Sequence, residues 1–236
     1  MIPWLTPECS FPPIEEALDE PNGLLAAGAD LSPERLLSAY KQGIFPWFAD
    51  DEPILWWSPH PRCVMRPDAI HISKSLRKQI RRGGFSVSFD GDFAAVIKAC
   101  AEPRPGQPET WITEDIQQAY IRLHRLGHAH SVEVREGGQL VGGLYGIAIG
   151  KLFFGESMFS RSTDASKIAY VFFAKQLQKW GYALIDCQVY NDHLASLGAE
   201  VIPRTEFQHY LDRYLDTPCT HSWQFDIATD DIVSSR

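Results

Sequence analysis

The stretch HSVEVREGGQLVGGLYGIAIGKLFFGESMFS, from His130 to Ser160, constrains the fold more than any other part of the chain. Its valines, isoleucines and aromatics favour strands, and polar residues punctuate them at close intervals. Gly137 and Gly138 interrupt the first run, and adjacent glycines supply the positive φ angles that a tight hairpin turn requires. The chain must double back there. Three strands, HSVEVRE, QLVGGLYGIAIG and KLFFGESMFS, are therefore predicted to form an antiparallel meander.

Helices are predicted on both sides of this meander. In TWITEDIQQAYIRLHRLG, Thr113 suits the N-cap, Glu114 and Asp115 suit the positive end, and Gly127 suits the stop. Ile116, Tyr120, Leu123 and Leu126 form its expected core stripe. A second helix is predicted from about Ala165 to Trp180, then a strand through LIDCQV, a short helix in NDHLASLG and a last strand before Pro203. Upstream, LSPERLLSAYKQG reads as a helix with Ser32 as cap, Pro33 in the first turn, Leu36, Leu37 and Tyr40 buried, and Gly43 as terminator. Trp47, Trp56 and Trp57 are expected in the core. VMRPDAIHI and FSVSF read as strands, DFAAVIKACAE as a helix, and residues 103–108 as a loop. Helix, meander, helix, strand, helix, strand is the element order of the GCN5-related N-acetyltransferase (GNAT) fold. The expected class is thus α/β (α+β), and the pattern changes at Arg62.

In SKSLRKQIRRGG, Lys74, Arg77, Lys78, Arg81 and Arg82 repeat at helical spacing on one face, with Leu76 and Ile80 opposite. Five of the 22 basic residues thus sit on one short helix of a chain whose formal charge is −8. The overall charge argues against indiscriminate coating of nucleic acid, whereas the local concentration favours an anionic partner such as phosphate. Cysteines number five, are scattered and never spaced C-x-x-C, as expected of reduced thiols in a cytoplasmic protein. MIPWLTPECSFPP has no basic leader ahead of an apolar run, and no stretch approaches the ~20 apolar residues needed to span a bilayer. A soluble cytoplasmic protein, a monomer for want of a heptad seam, is expected.

One strand is unusual. In LIDCQVYND, alternation puts Asp186 and Gln188 on one face and Ile185, Cys187 and Val189 on the other. Aligned polar groups at a strand end suit either the floor of a site or a face turned to water.

Several chemistries find no support. His124, His128 and His130 straddle Gly127 and lack a further ligand at useful spacing, so no metal is expected. Neither a phosphate-binding G-x-x-x-x-G-K-[ST] loop nor a G-x-S-x-G elbow is present. Coenzyme A-dependent acetyltransferases place a glycine-containing loop at a helix N-terminus to cradle pyrophosphate. Here the corresponding segment is SRSTDASK, without glycine and with Asp164.

FPWF, ILWWSP, TWIT, GHAHSVEV, LVGGLYG, FFGESMFSR, ASK, LIDCQVYNDHLASLGA and IPR together resemble the leucyl/phenylalanyl-tRNA–protein transferase family, over about residues 21–204. The resemblance implies an enzyme without a cofactor, with a small N-terminal domain over residues 1–62 and a GNAT-like domain over 63–236. It would take Leu or Phe, with Met a third candidate, from aminoacyl-tRNA and add it to an N-terminal Arg or Lys, marking the product for degradation by the N-end rule. It also implies roles. Asp186 and Gln188 would form the catalytic centre, Asp186 orienting Gln188 and accepting from the incoming ammonium. Asn191 would hold a ribose hydroxyl, and Glu156, with Asp186, would line a cleft for the cationic acceptor. Leu144, Phe153, Met158, Phe173, Leu177 and Ile185 would line the amino-acid side-chain pocket. Trp47 and Trp111 would stack on the terminal adenine, and the basic helix would meet the acceptor-stem backbone. Two other readings stand beside this one: a coenzyme A-dependent N-acetyltransferase, and an RNA-binding module without enzymatic activity.

Overall fold

A computed structural model describes residues 2–103 and 110–234, the side chain of residue 234 excepted; the loop expected at 103–108 lies outside them apart from Pro103. The chain begins with strands β1 (Trp4–Leu5) and β2 (Leu24–Gly28), helix α1 (Pro33–Lys41), and strands β3 (Phe45–Pro46) and β4 (Leu55–Trp57). These strands make a four-stranded sheet in the order β1-β2-β4-β3. Ser32 caps α1 by accepting from the Arg35 backbone N–H, with Pro33 in the first turn. Leu36 and Tyr40 are fully buried, Leu37 only partly. Of the three nearby tryptophans, Trp56 is core, Trp57 is half-buried and Trp47 is 45% exposed.

A seven-stranded sheet follows. Its strands are β5 (Arg62–Met65), β6 (Ser86–Phe89), β7 (Ala129–Glu136), β8 (Gln139–Ile149), β9 (Leu152–Ser160), β10 (Leu184–Gln188) and β11 (Glu200–Ile202). Their spatial order is β11-β5-β10-β9-β8-β7-β6, antiparallel throughout except for the parallel pair β9 and β10. The meander is present as read, with Gly137 and Gly138 both at positive φ in its first turn. VMRPDAIHI departs from its strand reading. β5 ends at Met65 because Pro67 has no N–H to donate, and a 3-10 turn follows.

The helices are α2 (Lys74–Arg82), α3 (Phe93–Ala101), α4 (Glu114–Arg125), α5 (Ala165–Lys179), α6 (Asp192–Ser196), α7 (Arg204–Tyr214) and α8 (Thr229–Ser234). From α4 to β11 the elements follow the helix, meander, helix, strand, helix, strand order expected. Leu126 was expected in the stripe of α4, but the helix ends one residue earlier and its side chain is 59% exposed.

Apolar clusters cover both sides of the large sheet. One joins Leu36, Tyr40 and Trp56 of the N-terminal elements to Tyr120, Tyr145, Phe154 and Leu184, so the two sheets share it. The other packs Met65, Phe153 and Ile185 against Phe173 and Leu177 of α5. On that side the C-terminal segment folds back. Trp223 stacks on His130 with ring centroids 3.6 Å apart, and Phe225 stacks on Phe89 at 4.0 Å. Among the described residues, no helix is long and apolar enough to cross a membrane.

Candidate active site

The site begins where β9 and β10 stop pairing. Their parallel ladder covers Leu184–Leu152, Ile185–Phe153 and Asp186–Phe154, and ends there. Both strands are irregular at that point. β10 skips Cys187, so that Gln188 rather than Cys187 faces Cys63 on β5, and Gln188 takes a left-handed φ of 62°. The β8–β9 register shifts between Tyr145 and Gly146, where Gly146 faces Gly155. A Cβ on Gly146 would lie 2.2 Å from the Phe154 carbonyl oxygen, so this close approach needs glycine. Bulges of this kind re-aim side chains and end pairing. Across the gap the Gln188 side-chain amide donates to Glu156 Oε1 at 2.7 Å. A cavity of about 770 Å³ opens beside that bridge, drawing residues from both faces of the sheet.

The bulge corrects one sequence expectation. Asp186 and Gln188 do not share a cavity-facing side. Ile185, Cys187 and Gln188 line the cavity, whereas Asp186 does not. Asp186 instead meets Arg62, with Nε 2.8 Å from Oδ1 and Nη2 2.7 Å from Oδ2. The two side chains are 2% and 1% exposed. The guanidinium also lies over the rings of Phe45 and Phe207, at 5.0 and 4.7 Å. Asp186 Oδ1 takes a further bond from the Gln188 backbone N–H at 2.9 Å. Both carboxylate oxygens are thus engaged behind the cavity wall, where the sequence reading expected Asp186 to line the cleft.

Two carboxylates line the cavity: Glu102, which pairs with Arg161 at 2.6 Å, and Glu156 at the Gln188 bridge. The Tyr40 hydroxyl donates to Glu156 Oε1 at 2.8 Å and the Tyr120 hydroxyl to Oε2 at 3.0 Å, and the two phenols also touch each other. Burial raises the Glu156 pKa to about 7, against the three hydrogen bonds that favour its charged form. Burial likewise pushes both phenols upward, and the Glu156 charge adds to the effect. Tyr40 and Tyr120 were legible only as helix core positions. Arg62 carried no sequence signal beyond its place after WWSPHP.

The apolar wall contains Leu144, Phe153, Met158, Phe173 and Ile185, joined by Tyr170, Cys187 and Leu194. Leu177, expected there one turn beyond Phe173, is instead fully buried in the core between α5 and the sheet. The facing stripe of α5 meets the cavity through Ser166, Tyr170 and Phe173, and the next turn passes behind it. Asn191 lines the rim and caps α6, its Oδ1 accepting from the Leu194 N–H at 2.9 Å. That bond orients the amide so that its NH₂ is the end left for the cavity. His193 lines the same rim, its pKa lowered by burial.

The leucyl/phenylalanyl-tRNA protein transferase family matches residues 64–212, and the N-terminal domain of that family matches residues 29–60. The chain belongs to this family. Curated leucyl/phenylalanyl-tRNA–protein transferases from Pseudomonas putida and Stutzerimonas stutzeri are 58% and 57% identical, each over 95% of this chain and 100% of their own. One from Azotobacter vinelandii is 58% identical over 91% of this chain and 95% of its own. Among solved structures, a conserved protein from Staphylococcus epidermidis of unknown function is 12% identical, with a TM-score of 0.42, over 76% of this chain and 68% of that one. A GCN5-related N-acetyltransferase from Kribbella flavida is 14% identical, with a TM-score of 0.37, over 72% and 57%. Both likenesses are too distant to carry an argument.

Other elements of this transferase family member lie outside the cavity wall. Neither Trp47 nor Trp111 lines the cavity. Trp47 stands beside Trp57 with centroids 5.5 Å apart, and Trp111 is half-buried against the core. On α2, Leu76 and Ile80 are buried as expected, and Lys74, Lys78, Arg81 and Arg82 are exposed. Arg77 and Arg81 nevertheless both donate to the Val233 carbonyl of α8. The start of α5 is already satisfied internally. The Ala165 N–H bonds the Ser162 carbonyl and the Ser166 N–H bonds the Ser160 hydroxyl, while Asp164 pairs with Lys167 at 3.0 Å.

Proposed function

We propose that this chain, acting as a cytoplasmic monomer, moves Leu or Phe from aminoacyl-tRNA to the α-amine of a protein with N-terminal Arg or Lys. The observation that carries this reading is the meeting of two unlike walls at the Gln188–Glu156 bridge. On one side lies an apolar recess of leucine, isoleucine, methionine and aromatic side chains; on the other lies a carboxylate. An unbranched-at-Cβ apolar side chain fits the first, and a cationic acceptor fits the second.

Converting an ester into an amide is downhill, so the site has to align the reactants and handle one proton. The acceptor amine, with a pKa of about 8, keeps a usable neutral fraction at neutral pH. Leu144, Phe153, Met158, Phe173 and Ile185 hold the donor side chain, and the Asn191 amide holds the ribose. Gln188 spends its NH₂ on Glu156, which leaves its carbonyl oxygen to accept an N–H of the attacking amine and aim the lone pair. A neutral amide is too weak a base to do more. Asp186 acts through Gln188, holding the backbone of that residue in its left-handed conformation. Trp47 and Trp111 stack on the terminal adenine, and α2 meets the acceptor stem.

A coenzyme A-dependent acetyltransferase fits less well, because the first N–H groups of α5 are occupied and Asp164 would face the pyrophosphate. The test is incubation with labelled Phe-tRNA and a protein bearing N-terminal Arg. Label at that N-terminus is expected. An unlabelled N-terminus, with calorimetric binding of coenzyme A, would replace this reading with the acetyltransferase one.

A further inference from the structure

Tyr40 on α1, Tyr120 on α4 and Glu156 on β9 bring four oxygens together from three elements. Tyr40 touches Oε1, Tyr120 touches Oε2, and the phenols touch each other. Three oxygen–oxygen contacts need three protons. The phenols supply only two, so with Glu156 ionised one contact is left without a proton. A proton on Glu156 closes the ring, each of the three groups then donating once and accepting once within it. The Gln188 amide, donating to Oε1 from the cavity side, is compatible with either state.

We infer that Tyr40, Tyr120 and Glu156 form a one-proton store that takes the proton released by the attacking amine and returns it to the departing ribose oxygen. This rests on the transfer reaction proposed above. The acceptor ammonium first loses a proton to solvent. As its nitrogen bonds to the ester carbon, a second proton passes from nitrogen to Glu156 and completes the ring. The C–O bond to the ribose then breaks, and the same proton passes to that oxygen, leaving an amide, a free hydroxyl and an ionised Glu156. Glu156 lines the cavity and is the catalytic residue. Tyr40 and Tyr120 lie behind it and are positioning residues that set how readily it holds the proton.

The other groups facing Glu156 do not compete for that role. The Tyr145 hydroxyl is buried with no hydrogen-bond partner among the described residues, and Asp186 is held by Arg62. Cys100 lies near Tyr145. Among the described residues, the phenol pair supplies the hydroxyl protons hydrogen-bonded to the carboxyl group.

The test compares wild type with Tyr40→Phe, Tyr120→Phe and Glu156→Gln, following transfer from labelled Phe-tRNA to an N-terminal Arg protein between pH 6 and 9. Wild type should lose rate on the acid side around pH 7, as the store fills before the amine arrives. Losing one phenol leaves a single contact that the other phenol already serves, so a proton on Glu156 no longer closes a ring and that midpoint should move down by about one pH unit, with the acceptor KM little changed. Glutamine keeps the hydrogen bonds but releases no proton, so Glu156→Gln should lower kcat by about 10²-fold or more and remove the limb near pH 7, leaving that of the acceptor amine near pH 8. An unmoved midpoint in both folded phenylalanine variants overturns the inference. A wild-type rate from Glu156→Gln overturns it as well, and needs no tyrosine variant to fold. Absence of transfer by the wild-type protein would instead overturn the proposed function.

Discussion

Arg62 and Asp186 face each other from neighbouring strands, Nε to Oδ1 at 2.8 Å and Nη2 to Oδ2 at 2.7 Å, with both side chains closed to solvent. The same carboxylate holds the Gln188 N–H. The pair therefore connects the first strand of the large sheet to the backbone of the residue at the cavity.

Breaking the pair from one side should be costly. Arg62→Ala leaves a buried, uncompensated carboxylate and is expected to cost about 3–5 kcal/mol in urea unfolding. Arg62→Leu with Asp186→Leu should recover much of that stability, yet not the transfer activity, because Gln188 loses the acceptor for its N–H. Recovered activity in the double variant would remove Asp186 from the positioning of Gln188.

Glu156 should make stability depend on pH in a definite direction. Its carboxyl titrates near 7 when folded against 4.5 ordinarily, so its contribution is full below about pH 4.5 and declines as pH rises towards 7. The stability of wild type relative to Glu156→Gln should therefore fall between pH 5 and 8. Denaturant midpoints of the two proteins at those pH values check this, and a constant difference would contradict it.

Trp47 is exposed enough to be altered without disturbing the core. The Trp57 indole bonds its backbone carbonyl rather than its ring, so that contact survives substitution. Trp47→Ala should weaken binding of an aminoacyl-adenosine analogue by about 1–3 kcal/mol, the worth of one base stack, with an unchanged melting temperature. Unaltered affinity would place the adenine elsewhere.

The basic helix divides into two groups. Replacing Lys74, Lys78 and Arg82 with Gln should flatten the slope of log affinity for aminoacyl-tRNA against log salt by about 2–3, at roughly 0.7–0.9 per phosphate contact. Use of aminoacyl-adenosine, which lacks an acceptor stem, should be unaffected. Replacing Arg77 and Arg81 should in addition loosen α8, read as a lower melting temperature, because both hold the Val233 carbonyl. Equal loss of both donors in the first variant would mean that α2 supports the site rather than the tRNA.

Gly146→Ala should cost about 1–3 kcal/mol, since its Cβ would collide with the Phe154 carbonyl and the Phe153 ring. Transfer should fall as well, because Phe153 is part of the apolar wall. A stable, fully active variant would show that the β8–β9 irregularity can relax without moving the site.

Period and punctuation made much of this molecule legible as a string of residues. The Gly137-Gly138 hairpin, the caps at Ser32 and Thr113, and the amphipathic pattern of α2 are local effects, acting within a turn or two of chain. Family-specific runs such as FFGESMFSR and LIDCQVYNDHLASLGA identified the family, and five of the six residues expected in the apolar pocket line the cavity. Strict alternation failed at Asp186 and Gln188, because a bulge depends on how β10 meets its two neighbours and leaves no periodic trace in one strand. Leu177 looked equivalent to Phe173 because helical spacing says which face a residue is on, not where along the helix a cavity stops. The Tyr40, Tyr120 and Glu156 ring, and the Arg62–Asp186 pair, join residues 36 to 124 positions apart. Local chemistry determined the elements and the family. Only tertiary packing decided the rest: α1 and α4 bring their phenols to Glu156 at the cavity, and Arg62 beside the bulge of β10 seals Asp186 behind it.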